Sequence, residues 1–267
     1  MKLIICADDF GQSEAIDQAI IQLIEMSRLT ATSCMTLSPR WPEAAKKLTP
    51  SIKTKASIGL HLDFTHFDFT NFGKPISHQK LVLLSLSRQL SKTKLSQSIH
   101  HQLDRFEDEI GYPPDYVDGH QHVHQLPQIR ECLFEALIKR YPQQLPWLRL
   151  AKPPIRDGFK GFIIRTLGSR VFEKKAKKLG FICSGALLGA YGFNVSSEEY
   201  LARFKYWLRQ VKANARTPIL MCHPAIRMPF NEDDVIYSAR VKEFEVLASH
   251  EIIQELKKLN LVKSPIN

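Results

Sequence analysis

The residues able to do chemistry fall in five separated places. Asp8 and Asp9 stand side by side after the apolar run Lys2 to Ala7. Adjacent carboxylates past a buried strand repel and are costly to desolvate without a counter-charge. A divalent cation relieves that cost: one carboxylate binds the metal while the other stays free as a base. Helix capping before Gln12-Ser13 is the plainer alternative, although Phe10-Gly11 directly after the pair points to a tight turn. His61 lies in Gly59-Leu60-His61-Leu62-Asp63. Taken alone, a histidine ending an apolar strand is more often a satisfied core group than a ligand.

A denser signal is Asp118-Gly119-His120-Gln121-His122-Val123-His124, in a chain with ten histidines. On a strand, this alternation puts His120, His122 and His124 on one side. On a loop, one can ligate while the others touch substrate. Neutral imidazole is a borderline metal ligand, and with Asp9 and His61 the run supplies a His/His/Asp metal set. A surface histidine run is the bland alternative. His223 is delivered by Leu220-Met221-Cys222 to a turn limited by Pro224. That suits a general acid placed opposite a base, a capping histidine being the other reading. Arg149 sits in the apolar Trp147-Leu148-Arg149-Leu150. A buried arginine needs an anion, and Asp8 is a candidate; an edge-strand arginine is equally consistent.

Other chemistries lack their motifs. No GxSxG elbow supports a serine nucleophile of the α/β-hydrolase kind. The chain contains no GxxxxGK[ST], GxGxxG or HExxH, so the nucleotide and zinc devices they encode are unsupported.

These groups must be positioned by the elements around them. Strands are expected at Lys2 to Ala7, Ala31 to Leu37, Ala56 to Leu62, Tyr116 to Asp118, Trp147 to Ala151, Phe181 to Ser184 and Thr217 to Cys222. Helices are expected after the cap Ser13, over Pro42 to Leu48, Lys94 to Ile110, Ile129 to Tyr141, Asp157 to about Gly180, Ser196 to Val211, and Ser238 to Leu259. Asp63 to about Ser77 reads as a loop. The segments 63–95 and 152–196 break the rhythm and read as insertions over one face. Alternating strands and helices predict a parallel α/β sheet. About seven units favour a single-domain (β/α) barrel-like fold over residues 1–267, a distorted TIM-type barrel, over a doubly wound sheet. The polar residues lie at strand ends, and in such barrels the C-terminal strand ends share one pocket.

Composition bounds the rest. With 267 residues, 44% hydrophobic and 24% charged, the chain is ordinary for a globular protein. Its five cysteines are scattered without a CxxC pair, which speaks against a disulfide scaffold and for a reducing compartment. No apolar run approaches the roughly 18 residues of a membrane span. The N-terminal apolar stretch is short for a signal peptide and ends in two acids. A soluble cytoplasmic protein is expected. The net charge is +10, and the densest basic cluster is Lys174-Lys175-Ala176-Lys177-Lys178. Without interleaved aromatics it reads as a solvated helix face, so no nucleic-acid partner is expected. Contact of this basic surface with anionic lipid is left open, as is oligomeric state, with a homodimer among the options.

Ala7-Asp8-Asp9-Phe10-Gly11, Gly59-Leu60-His61-Leu62, Asp118 to His124, and Met221-Cys222-His223-Pro224 occur together, spanning residues 7–224. In these motifs the chain resembles the YdjC-type carbohydrate deacetylases, a group that includes chitooligosaccharide deacetylase and the deacetylase of hopanoid biosynthesis. The resemblance implies a barrel-like fold and one divalent metal ion, magnesium or zinc. It implies hydrolysis of an N-acetyl group from an N-acetylated sugar, oligosaccharide or glycolipid, with release of acetate. It further implies Asp9, His61 and His120 as metal ligands, Asp8 as catalytic base and His223 as the acid near the leaving group. Arg149, in the looser context Leu-Arg-Leu-Ala-Lys-Pro-Pro, joins His122 and His124 as residues that touch substrate or support the ligands. Where the family often has Thr or Asn after His-Leu, this chain has Asp63, which could reach the metal or the sugar. Two other classes remain open on the same residues. A metal-dependent phosphoesterase would release phosphate instead of acetate. A basic binding module would bind nucleic acid with a steep salt dependence and survive loss of His120.

Overall fold

The computed structural model describes residues 1–67, 76–154, 158–211, 216–228 and 234–266. At its centre lies β1 (Lys2–Phe10), buried from Leu3 onward. A strand covered on both faces reads as an unbroken apolar run, and Leu3 to Ala7 is such a run. Around it stand β2 (Ala31–Cys34), β3 (Ser57–Leu62), β4 (Tyr116–Gly119), β5 (Trp147–Leu148), β6 (Leu187–Leu188) and β7 (Ile219–Cys222). Their order is β5-β4-β3-β2-β1-β7-β6, all parallel, with β8 (Asn260–Leu261) beside the start of β1. The ends of that order approach each other: Leu148 bridges Cys183, and the Leu187 amide donates to the Lys152 carbonyl at 3.3 Å. The sheet therefore curls into an α/β barrel-like fold. Helices α1 (Glu14–Glu25), α2 (Trp41–Ala45), α3 (Pro50–Lys55), α4 (His78–Leu86), α5 (Lys92–Ile110), α6 (Ile129–Arg140), α7 (Gly158–Thr166), α8 (Ser169–Lys178), α9 (Ser197–Gln210), α10 (Tyr237–Ala248) and α11 (His250–Leu256) connect the strands.

Strand alternation divides the interior in two. Leu3, Ile5 and Ala7 join the core under the helices; Ile4 and Cys6 join an inner cluster with Tyr116, Trp147, Ile219 and Met221. Tyr116 and Trp147 stack at 4.2 Å and plug the barrel. Position 59 must be glycine, because a Cβ there would come within 2.4 Å of the Tyr116 ring. Continuing the same period of two carries Asp8, His61, Asp118, Arg149 and His223 inward above this plug. The alternation that builds the core thus also delivers the polar groups.

Several elements depart from their sequence expectation. The first strand runs on through Asp8 and Asp9 to Phe10. The helix expected over 157–180 is two helices, because Gly168 has φ 117°, a left-handed value that a continuing helix excludes; its expected first residue, Asp157, lies outside the described residues. The last helix breaks at Ser249, whose ψ of 155° is extended. Expected as a strand, 181–184 contributes one bridge, and β6 follows at Leu187. Helices α3 and α4 and strand β8 have no counterpart in the sequence expectation, α4 lying within the segment read as an insertion. Of the expected loop from Asp63 to Ser77, residues 68–75 lie outside the described residues.

Candidate active site

Two consecutive strand residues normally face opposite sides. Between Ala7 and Phe10 the pairing of β1 with β2 slips, and Asp9 takes a left-handed backbone with φ 71°. Such a bulge re-aims a side chain, and both carboxylates line one cavity. A non-glycine residue held there costs on the order of 1–3 kcal/mol and persists only where its surroundings fix it.

Those surroundings are charged. Asp9 Oδ1 lies 3.1 Å from His120 Nδ1 and 3.4 Å from His61 Nε2. Ligands about 2.1 Å from a tetrahedral ion stand roughly 3.4 Å from one another. The Asp9 oxygen therefore stands at ligand spacing from both imidazole nitrogens, the three ligand atoms lie within 4.8 Å of one another, and the donor set fits a divalent ion. His61 and Asp118 are register partners on β3 and β4. Their contact, Nδ1 to Oδ1 at 2.6 Å, turns the other ring nitrogen toward Asp9. Ser33 donates to Asp118 Oδ2 at 2.6 Å. From α10, Arg240 takes Asp9 Oδ2 at 2.7 Å and is itself held by Asp234 at 2.6 Å. Burial opposes charge on Asp9, but Arg240 and His120 outweigh it and hold the carboxyl well below the usual carboxylate range. At His61 burial opposes an imidazolium, yet the charges of Asp118 and Asp8 push its value up to about 10.

The second carboxylate has a different partner. Arg149, fully buried, grips Asp8 with both arms, Nη1 to Oδ1 at 2.5 Å and Nη2 to Oδ2 at 2.8 Å. It also reaches Asp118 at 3.0 Å. A bidentate fork fixes the carboxylate plane but leaves each oxygen further acceptor capacity. Just past β7, His223 places Nε2 3.8 Å from Asp8 Oδ2 and Nδ1 4.0 Å from Glu243 Oε1. The Phe193 ring meets the His223 ring edge-on at 5.2 Å. These groups open on a cavity of about 630 Å³. Its polar floor is Asp8, Asp9, His61, His120 and His223; Ile163, Ile164, Leu167, Phe193, Val235 and Ile236 supply apolar wall.

The family model for YdjC-like protein matches residues 2–258. This chain belongs to the YdjC-like family. A carbohydrate deacetylase of Halalkalibacterium halodurans is 25% identical over 265 residues, covering 96% of this chain and 99% of the relative. A chitooligosaccharide deacetylase of Yersinia enterocolitica is 23% identical over 278 residues, covering 96% and 94%. Another from Serratia marcescens is 29% identical over 241 residues, covering 84% and 81%. Among solved structures, a protein of Enterococcus faecalis named for cellobiose-phosphate cleavage aligns with a TM-score of 0.71 at 23% identity, covering 98% of this chain and 96% of that one. At that identity the likeness bears on the fold.

In this YdjC-like chain the histidine run is neither a strand nor a surface tag. It is a 3-10 segment, His120–Gln125, with left-handed backbone at Gln121 (φ 51°) and His122 (φ 62°). The kink sends the three rings to three places. His120 meets Asp9. His122 lines the cavity, its Nδ1 buried without a hydrogen-bond partner among the described residues; burial holds its imidazole well below the ordinary value. His124 turns into the core, where Nε2 donates to the Arg149 carbonyl at 2.9 Å and the ring meets Phe172. Asp63 is spent on its own loop: its carboxylate accepts from the amides of Thr65 (2.8 Å), His66 (3.0 Å) and Phe67 (2.8 Å). Neither His124 nor Asp63 lines the cavity.

Sequence reading passed over Asp118, Arg240, Asp234, Glu243, His66 and His78. Asp118 carried a signal, since it ends the strand preceding the histidine run. Arg240 and Glu243 carried none, because a charged residue on a late helix looks like a solvated one. His66, edge-on to His120 at 5.6 Å, and His78 come from a segment read as loop and insertion.

Proposed function

We propose that this chain is a metal-dependent carbohydrate deacetylase, hydrolysing the N-acetyl group of an N-acetylated sugar, as an oligosaccharide or glycolipid. One observation carries the reading: Asp9, His61 and His120 converge at ligand spacing beside a second carboxylate, Asp8, that is oriented separately. The names of the relatives support it. Asp9, His61 and His120 would hold one divalent ion, magnesium or zinc, which when bound polarises a carbonyl and lowers the pKa of water.

The chain's own groups do the rest. Asp8, aimed by Arg149, takes a proton from water as the water oxygen bonds to the acetamide carbon. His223 Nε2 gives a proton to the nitrogen as the carbon–nitrogen bond breaks and its electron pair goes to nitrogen. Acetate and a free amino sugar leave. A cavity of about 630 Å³ accommodates a sugar, and the imidazoles of His66, His78 and His122 suit hydrogen bonding to its hydroxyls. The five cysteines, all buried thiols, support a reducing cytoplasmic setting. Among the described residues no helix is long and apolar enough to cross a membrane.

The test is acetate release over a panel of N-acetylated sugars, with and without chelator. Acetate that appears with metal and disappears on chelation supports the reading. Phosphate release from sugar phosphates, with no acetate, would replace it by a phosphoesterase.

A further inference from the structure

Arg240 and Glu243 lie three residues apart on α10, so they share one helix face. Both are buried and both point at the site. Arg240 stands behind Asp9; Glu243 stands behind His223. A carboxylate at that depth is costly unless donors meet it. Glu243 has three: Tyr191 Oη at 2.5 Å, the His223 amide at 2.6 Å and Tyr200 Oη at 3.4 Å. Packing alone does not call for an acid here, because an apolar side chain in its place would need no such donors. The His223 ring has a carboxylate at each end, Glu243 near Nδ1 and Asp8 near Nε2. Phe193 closes one side of the ring.

We propose that Glu243 is a positioning residue for acid catalysis, holding His223 with Nδ1 toward α10 and Nε2 toward the departing nitrogen. This rests on the deacetylase reading. Its Oε2 accepts the His223 backbone amide at 2.6 Å and fixes where residue 223 sits, while its Oε1, 4.0 Å from Nδ1, acts on the ring through charge rather than through a hydrogen bond. The carboxylate also stabilises the imidazolium until Nε2 transfers its proton to the amine and the ring becomes neutral. Substrate contact by Glu243 is not required. Burial pushes its carboxyl up to about 7 against the pull of its donors, so a neighbouring imidazolium is a partner it favours.

The experiment compares kcat/KM for acetate release from an N-acetyl amino sugar and from 4-nitrophenyl acetate, in metal-loaded wild type, Glu243→Gln, Tyr191→Phe, His223→Ala and the Glu243→Gln/His223→Ala double variant. An amide needs its leaving nitrogen protonated; an activated phenolate does not. Glu243→Gln should lose roughly 10- to 100-fold on the amide, a fraction of what a positioned acid supplies, and far less on the ester, with metal content unchanged. On the amide, the double variant should be no slower than His223→Ala alone. Tyr191→Phe, a milder change at the same carboxylate, should show the same selectivity at a few-fold and carries the test if Glu243→Gln does not fold. Equal losses on both substrates, or losses that multiply in the double variant, would overturn the assignment while leaving an active deacetylase. A wild type that releases no acetate from any N-acetyl sugar removes the deacetylase reading and this proposal together.

Discussion

On the strand side of the cavity, Asp8, Asp9, His61, Asp118 and Arg149 are each no more than 2% exposed. On the helix-and-loop side, Ile163 is 40% exposed and Val235 97%. The first group is cross-linked by ion pairs of 2.5–3.4 Å in which each member holds at least one other. The second pair is apolar and carries no charge to tie, whereas the charged groups that this side contributes, Asp234 and Arg240, pair with each other and with Asp9 and so belong to the first network. Groups that bind an ion or move a proton must sit within a fraction of an ångström of their working place, and only a packed, hydrogen-bonded shell holds them there. A wall that only shapes the cavity tolerates more. Substitutions should therefore act steeply on one side and gently on the other.

The steepest effects belong to the imidazoles around Asp9. His61→Ala and His120→Ala should each abolish metal binding and turnover, whereas His122→Ala should retain the ion. Elemental analysis of the purified variants decides this. Full occupancy in His120→Ala together with loss in His122→Ala would break the strand-side assignment.

Next come the paired carboxylates, which have different partners and should have different jobs. Asp9→Asn should lower metal affinity. Asp8→Asn should keep the metal and lose turnover by about 10²–10⁴-fold, as expected for a positioned base. A metal-loaded Asp8→Asn running near the wild-type rate would place the base elsewhere.

A third effect is on stability. Arg149→Met removes the cation between Asp8 and Asp118, leaving two buried carboxylates facing each other. Losing one partner of a buried pair costs about 3–5 kcal/mol, read as a lower urea midpoint at pH 7. A shift under about 1 kcal/mol would mean that the network behaves like a surface one, and the contrast between the two sides would lose its energetic basis.

Legibility in the sequence follows the same divide. The strand side could be read because a buried strand writes its pattern locally: apolar residues alternate and a polar residue interrupts near the end. Asp8, His61, Arg149 and His223 showed in that way, and a pocket common to strand ends brought them together. What the strands could not show was the bulge. Regular alternation sends Asp9 outward, and only the left-handed backbone at that residue returns it. Residues contributed by α10 were illegible, since the approach of residue 240 to residue 9 depends on closing the whole chain. The histidine run was legible as a site but not as a geometry: two consecutive left-handed residues are not predictable from Gln121 and His122. The break in the helix expected over 157–180 turned on Gly168, where a Cβ would also come within 2.8 Å of the Gln125 carbonyl oxygen, a crowding that only the folded chain shows; the break at Ser249 carried no such glycine.

The gentlest prediction lies where the two sides meet. Asp63 departs from its family's usual residue, and a carboxylate one residue past β3 invites a role at the metal. Its oxygens are instead taken by three backbone amides and the Thr65 hydroxyl, and Gln102 brackets its own backbone through two bonds of 2.9 and 2.8 Å. The loop so held is the one that presents His66 to the cavity. Asp63→Asn keeps one oxygen acceptor but turns the other into an amide donor facing an N–H, so it should destabilise by about 1–2 kcal/mol and loosen His66. Metal content should be unchanged, kcat nearly so, and KM for the sugar raised several-fold, since a wall residue contributes to binding rather than to proton transfer. Asp63→Ala should amplify the same pattern. If Asp63→Asn instead loses metal or most of its kcat with KM unchanged, Asp63 belongs to the strand side, and the boundary between rigid floor and permissive wall must be moved outward to include its loop.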